Sequence, residues 1–332
     1  MDPVSVTDYH TAGEPFRIVT AGVPEIPGAT VLERREAARS VRDIDAVRRL
    51  LVNEPRGHSA MYGCFLVPPE TPDSVFGVLF WHREGYSTAC GHGTIALGAW
   101  AVRTGRVDAV PDGVTEVPMD VPSGRVVAAV TCEGGAVRKV AFRNVDAYVL
   151  GRGVEVTTKR GPVKVDLAYG GAIYASVGAS AIGLAVVPEN HAELVAAGRE
   201  IKAALTGTEW ARHADHRLSG VYGVIFHDDL GDTERGPHQR TVTVFADGQV
   251  DRSPCGSGTS ARLALLAAEG RLPEGAVLTH DSIIGTTFLG RVLATGADGA
   301  VATEIEGTAH LTGESVFRLD PHDELGTGFT LR

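Results

Sequence analysis

One eighteen-residue unit occurs twice in this chain. Ala89-Cys-Gly-His-Gly-Thr-Ile-Ala-Leu-Gly-Ala-Trp-Ala-Val-Arg-Thr-Gly-Arg106 aligns without a gap on Pro254-Cys-Gly-Ser-Gly-Thr-Ser-Ala-Arg-Leu-Ala-Leu-Leu-Ala-Ala-Glu-Gly-Arg271. Identical pairs include Cys90/Cys255, Gly91/Gly256, Gly93/Gly258, Thr94/Thr259, Gly105/Gly270 and Arg106/Arg271, 165 residues apart in a chain of 332. That period is far too long for a solenoid. It predicts two related domains that each carry the same loop and helix.

The local grammar of the two copies is the same. A glycine-containing turn precedes an Ala/Leu-rich run in which Leu97, Trp100 and Ala101, and likewise Leu263, Leu266 and Ala267, fall at helical spacing. Gly105 and Gly270 stand where helix C-terminal caps belong. Cys90 and Cys255 are therefore expected at the starts of two helices. A helix N-terminus offers unpaired N–H groups and partial positive charge, which predicts an anion site and a cysteine with a lowered pKa. Gly91, Gly93, Gly256 and Gly258 are expected to let a ligand approach the backbone closely.

The rest of the chain reads mostly as strands: residues 74–81, 114–117, 125–132, 137–142 and 241–245. Asp247-Gly248 reads as a turn. Helices are expected at Ala37–Asn53 and Asn190–Thr206, and the polar stretch 228–238 as a surface loop. Many short strands with few helices predict an α+β fold with a curved sheet around a central helix in each domain. The expected domains are 1–160, carrying Cys90 and completed by a C-terminal strand at about 315–332, and 161–314, carrying Cys255.

Composition removes several classes of function. A formal net charge of −10 argues against a nucleic-acid partner and against an anionic membrane surface. No stretch has the length of a membrane span, and Met1-Asp2-Pro3-Val4 does not open a secretory signal. The four cysteines, Cys64, Cys90, Cys132 and Cys255, form no CxxC pair; scattered free thiols predict a cytoplasmic location. Cys64 and Cys132 read as small core residues. The four lysines, Lys139, Lys159, Lys164 and Lys202, form no readable Schiff-base motif, and His10, His58 and His82 have no metal spacing. No cofactor and no metal are expected.

Two cysteines facing each other across a cleft suit stereoinversion at an α-carbon, where one group takes a proton from one face and another returns it to the opposite face. Two other uses of the pair stay open at this point. One is a disulfide, disfavoured in a reducing compartment. The other is zinc ligation by Cys90 and His92, which Ser257 fails to repeat in the second copy.

Further motifs accompany the pair: Asp8-Tyr-His-Thr-Ala-Gly-Glu-Pro15, Pro55-Arg-Gly-His58 with Met61-Tyr-Gly63, Asp166-Leu-Ala-Tyr-Gly-Gly171, Asp251-Arg-Ser-Pro254 before the second cysteine, and Ser282-Ile-Ile-Gly-Thr286. In this order they resemble the proline racemase family from near residue 8 to past residue 310. The resemblance implies a diaminopimelate epimerase-like fold, two pseudo-symmetric domains around a cleft. It also implies Cys90 and Cys255 as the acid/base pair and His92 and Asp251 at the ring nitrogen. The backbone of Gly91, His92, Gly256 and Ser257 would cradle the carboxylate, with Tyr62 and Phe245 as pocket walls. The expected partner is a small imino acid, proline or hydroxyproline, and the assembly it allows is a homodimer. Dehydratases of the family typically carry threonine at the second cysteine, whereas Cys255 is retained here. Cys90-Gly-His-Gly-Thr94 is more like the 4-hydroxyproline 2-epimerases than the proline racemases, while Gly85-Tyr-Ser-Thr88 and Ile95-Ala-Leu-Gly98 are more like trans-3-hydroxy-L-proline dehydratases. The chain departs from the family pattern at Ala60, where Asp is general, and at Ala172, where Asn is common, which leaves the ring substituent open. The expected activity is a 4-hydroxyproline 2-epimerase, with proline racemase and the dehydratase as alternatives.

Overall fold

A computed structural model describes residues 1–273 and 275–331. Its strands form one continuous ladder whose two halves repeat each other. In the first half the strands run in the spatial order 309–317, 4–11, 14–21, 62–67, 76–82, 113–121, 124–133 and 136–143. In the second they run 148–158, 161–169, 173–178, 221–233, 236–245, 278–282, 287–295 and 301–307. Even the parallel neighbours correspond. Strands 14–21 and 62–67 match 173–178 and 221–233, and 76–82 with 113–121 matches 236–245 with 278–282. The halves join where strand 301–307 pairs antiparallel with 136–143, Ile305 opposite Phe142.

Among the described residues five α-helices accompany the sheet: α1 (Val31–Ser40), α2 (Arg42–Val52), α3 (Gly91–Arg103), α4 (His191–Leu205) and α5 (Gly256–Ala268). The duplicated unit forms α3 and α5. Every residue from Gly91 to Ala101 and from Gly256 to Leu266 is buried, because each helix is wrapped by the curved sheet of its own half. Ile95, Leu97 and Trp100 pack against Phe76, Phe80, Val117 and Val140 in the first core. The outer faces are covered by α1 and α2 in one half and α4 in the other, again at equivalent places in the chain order. No described helix is long and apolar enough to cross a membrane.

Three local expectations are corrected. The helix expected at 37–53 is two helices that begin at Val31. A capping box of Thr30 and Glu33 starts α1. Extended backbone at Val41 divides the pair, where Ser40 Oγ bonds back to the Glu36 and Ala37 carbonyls. The polar stretch 228–238 is a β-hairpin within strands 221–233 and 236–245. A ladder satisfies its backbone whatever the side chains, so exposed strands can be polar on both faces. The strand returning to the first half is Ala309–Phe317, paired with Val4–Thr11, earlier than the 315–332 read from sequence. Helix 190–206, the turn at 247–248 and the other strands lie where expected, within a few residues. Gly105 and Gly270 adopt φ of 66° and 69° at the helix ends, as C-terminal caps require.

Candidate active site

The N-termini of α3 and α5 meet head to head between the halves. A Cβ built on Gly91 would lie 2.6 Å from the Gly256 Cα, and one on Gly256 would lie 2.8 Å from the Gly91 Cα. These glycines are therefore required by the contact between helix ends, a reason the sequence did not show. Gly93 and Gly258 serve their own cysteines: a Cβ there would meet the Cys90 Sγ at 2.8 Å and the Cys255 Sγ at 3.0 Å.

A small cavity of about 10 Å³ lies at this junction, lined by Tyr62, Ala89, Cys90, Gly91, His92, Tyr174, Tyr222, Phe245, Asp251, Cys255 and Ser257. That is room for about one water molecule. Of the predicted acid/base and substrate-binding residues all border it except Gly256, which packs against Gly91; Gly93 and Gly258, also expected to admit a ligand, lie beside their own cysteines instead. Tyr174 and Tyr222 were not legible beforehand. They reach the cavity because strand 173–178 lies parallel to 221–233, a long-range pairing without a short-range sequence signal. Ala60 lies outside this cavity, along a second pocket shared with Arg83, Arg199 and Arg252. Ala172 packs with Ala168 and Tyr174 behind Cys255.

The two cysteines differ in detail. Cys90 is extended, and its Sγ accepts the Gly93 N–H at 3.2 Å and lies 3.5 Å from the His92 Nδ1. Cys255 adopts φ +65° and ψ 98°, a conformation unusual for a residue with a side chain. Its thiol is directed to the Tyr174 hydroxyl at 3.8 Å, and that oxygen lies 2.7 Å from the Ser257 Oγ. Ser253 braces the turn: its N–H and hydroxyl both donate to the Asp251 Oδ1, and its Oγ accepts the Cys255 N–H. The Asp251 Oδ2 stands 4.0 Å from the His92 Nδ1. Aromatic rings close the walls. Tyr222 stacks on Phe245, Tyr62 meets His92 edge-on, and the Tyr62 hydroxyl bonds to Ser87 and Tyr222.

Electrostatics overturns one expectation from sequence. Burial pushes both thiols up, well above the ordinary value for Cys90 and strongly for Cys255, and nearby Asp251 adds to both. The helix-end N–H groups oppose this and do not prevail, because the closed cleft removes the water that would solvate a thiolate. His92 is held below its usual value by the same burial, against the opposing pull of Asp251. All four cysteines are free and buried, so no disulfide joins the pair. Among the described residues no three His, Cys, Asp or Glu side chains gather as a metal site.

Known proteins share this architecture. Residues 6–330 match the family described as Proline racemase. A trans-3-hydroxy-L-proline dehydratase of Bacillus cereus is 42% identical over 98% of this chain and 97% of its own. A 3-hydroxyproline 2-epimerase of Burkholderia multivorans is 41% identical over 99% of this chain and 98% of its own. The crystal structure of a hydroxyproline epimerase from Agrobacterium vitis, with bound trans-4-hydroxy-L-proline, superposes with a TM-score of 0.90 at 30% identity, covering 99% of this chain and 96% of the other. With the paired cysteine motifs, the repeated half-sheets and a match over nearly its whole length, the chain belongs to the proline racemase family.

Proposed function

We propose that this protein is a cofactor-independent hydroxyproline 2-epimerase that uses Cys90 and Cys255 as its two acid/base groups. The observation that supports this most is a single small cavity bordered by both thiols, each at the start of a helix. One thiolate takes the α-proton and the opposite thiol returns one to the other face; the reverse reaction exchanges their roles. The N–H groups at the two helix starts, around Gly91, His92, Gly256 and Ser257, hold the carboxylate and stabilise the charge that develops on it. Asp251 and His92 receive the ring nitrogen, and Tyr62 and Phe245 bracket the ring. Because an imino acid exceeds that volume, the halves part to admit it. A thiol ionises while water still reaches it, and closure then removes that water.

The Cys-Gly-His-Gly-Thr motif points to 4-hydroxyproline. Identity of 41% to the 3-hydroxyproline 2-epimerase, against 30% to the epimerase holding trans-4-hydroxy-L-proline, supports a hydroxyl at C3 instead. A second reading, loss of water from trans-3-hydroxy-L-proline, is favoured by the 42% identity to the dehydratase of that name. There one thiolate would take the α-proton and the other thiol would protonate the departing hydroxyl. Retention of Cys255 favours epimerisation.

The test is to incubate the protein with L-proline and with 3- and 4-hydroxyprolines in deuterated buffer, followed by NMR and chiral chromatography. The expected result is the C2 epimer of trans-3-hydroxy-L-proline with deuterium at the α-carbon. Formation of Δ1-pyrroline-2-carboxylate alone would replace epimerisation by dehydration, and absence of α-exchange with every member of the panel would end both readings.

A further inference from the structure

The two central helices are equivalent in the duplication, but their interiors are not. Seven residues beyond its cysteine, α3 carries Leu97, in the apolar core, and α5 carries Arg262, 2% exposed. The hydrogen bonds of the Arg262 guanidinium go to neutral groups: Nε and Nη2 to the Gln239 Oε1 at 3.3 and 3.2 Å, and Nη1 to the Ser176 Oγ at 3.0 Å. No carboxylate among the described residues forms an ion pair with it. The acids that influence it from a distance are engaged elsewhere: Glu269 with Arg152, Asp229 with Arg271, and Asp166 with the Gly153 N–H. The imidazoles near it add no charge. Burial pushes His280 down to about 3 and His227 well below its usual value. Arg262 itself is lowered only to about 10 and stays charged at neutral pH. A buried cation without a counter-ion costs stability, and a fold that keeps one has a use for it elsewhere.

We propose that Arg262 is a positioning residue for Cys255, a fixed positive charge behind α5 that favours the thiolate on that half of the site. Seven residues of helix put it about 10 Å from Cys255 along the axis, and the space between is dry protein, where charge acts over such distances. Its bond to Ser176 also fixes the strand 173–178, on which Tyr174, two residues earlier on the same face, approaches the Cys255 thiol. The groups facing Cys255 from other elements are Asp251, Tyr174, Tyr222, Thr243 and Cys90, and none of them is a cation. Each thiol has a helix-end N–H beside it, Gly93 for Cys90 and Gly258 for Cys255, and only α5 adds a buried cation behind its cysteine.

The inference rests on reading Cys255 as an acid/base group. Its test is the alkylation of thiols by iodoacetamide, followed by peptide mass spectrometry, so its failure is separable from loss of epimerase activity. Cleft opening is common to both cysteines and cancels in the ratio of the Cys255 rate to the Cys90 rate. Arg262→Met should lower that ratio about tenfold at neutral pH, while Arg262→Lys, which keeps the charge, should hold it within about threefold of the parent. Gln239→Glu places a carboxylate on the guanidinium without removing it and should reproduce the drop. If Arg262→Met unfolds, seen as Cys64 and Cys132 labelling together with the other two, Gln239→Glu decides. An unchanged ratio in Gln239→Glu, or an equal fall in Arg262→Lys and Arg262→Met, would overturn the proposal.

Discussion

Cys90 and Cys255 occupy the same position of a repeated unit and share its glycines and threonine, yet their backbone and their side-chain neighbours differ. Cys90 has relaxed extended backbone and accepts an N–H from its own helix; Cys255 has φ of +65° and offers its thiol to Tyr174. The next residue but one is His92 in the first copy and Ser257 in the second, and the seventh is leucine or arginine. The duplication has kept what places two thiols on opposite sides of a cavity. What has diverged is what sets the readiness of each to give up a proton.

The comparison breaks most sharply at the cysteines themselves. Cys90→Ser and Cys255→Ser should each lose epimerisation by about 10³-fold or more, because a hydroxyl is a poor substitute for a thiol in proton transfer. Each variant keeps one thiol and should exchange the α-proton of one enantiomer only, the two variants choosing opposite enantiomers. Deuterium incorporation followed by chiral analysis reads this; near-parental turnover in either variant would remove the paired assignment. A step smaller, Gly91→Ala and Gly256→Ala each insert a methyl between the helix ends and should lower kcat about 100-fold, since displacement by an ångström is enough. Equal losses would show that closure is a property of the pair. Ser253→Ala, at the position where the first copy has Thr88 bonded to the Gly171 carbonyl instead of to its cysteine, should cost about tenfold in kcat, the worth of a buried hydrogen bond, and should slow alkylation of Cys255 but not of Cys90.

The smallest effect concerns pH. Both thiols are raised by burial in the folded protein, so the unfolded chain ionises first as pH increases. The stability they contribute is complete below the free-thiol pKa of about 8.5 and is lost above it, at up to about 1.4 kcal/mol per pH unit for each group. Thermal melts between pH 7 and 10 should fall more steeply for the parent than for the double variant Cys90→Ser/Cys255→Ser. Matching slopes would mean that the thiols are already ionised in the closed state.

Much of this was readable in advance because it is local or repeated. The two helix starts, their glycine ends and the facing cysteines follow from the period of 165 residues, and the motif resemblance brought His92, Asp251, Tyr62 and Phe245 to the same cavity. The thiol chemistry was misread because a helix end is visible in sequence, whereas the burial that outweighs it is created only by long-range packing of the two halves. Tyr174 and Tyr222 were missed because parallel pairing of strands some fifty residues apart decides where they point. The break at Val41 depends on a serine bonding backward, and the hairpin at 228–238 on a ladder indifferent to its side chains.

The crossing strands carry a consequence for biosynthesis. Strand 148–158 follows the first half in the chain but pairs with the start of the second, and strand 309–317 follows the second half but pairs with Val4–Thr11. A nascent chain therefore holds its first strand with one flank open while some three hundred residues are added, and only then receives the neighbour that closes it. An exposed strand edge is a template for pairing with another chain, so the interval between translation of residue 11 and of residue 309 is when this protein is most vulnerable to aggregation. It is also an interval in which no ribosome-bound fragment can assemble both reactive thiols in a completed cleft.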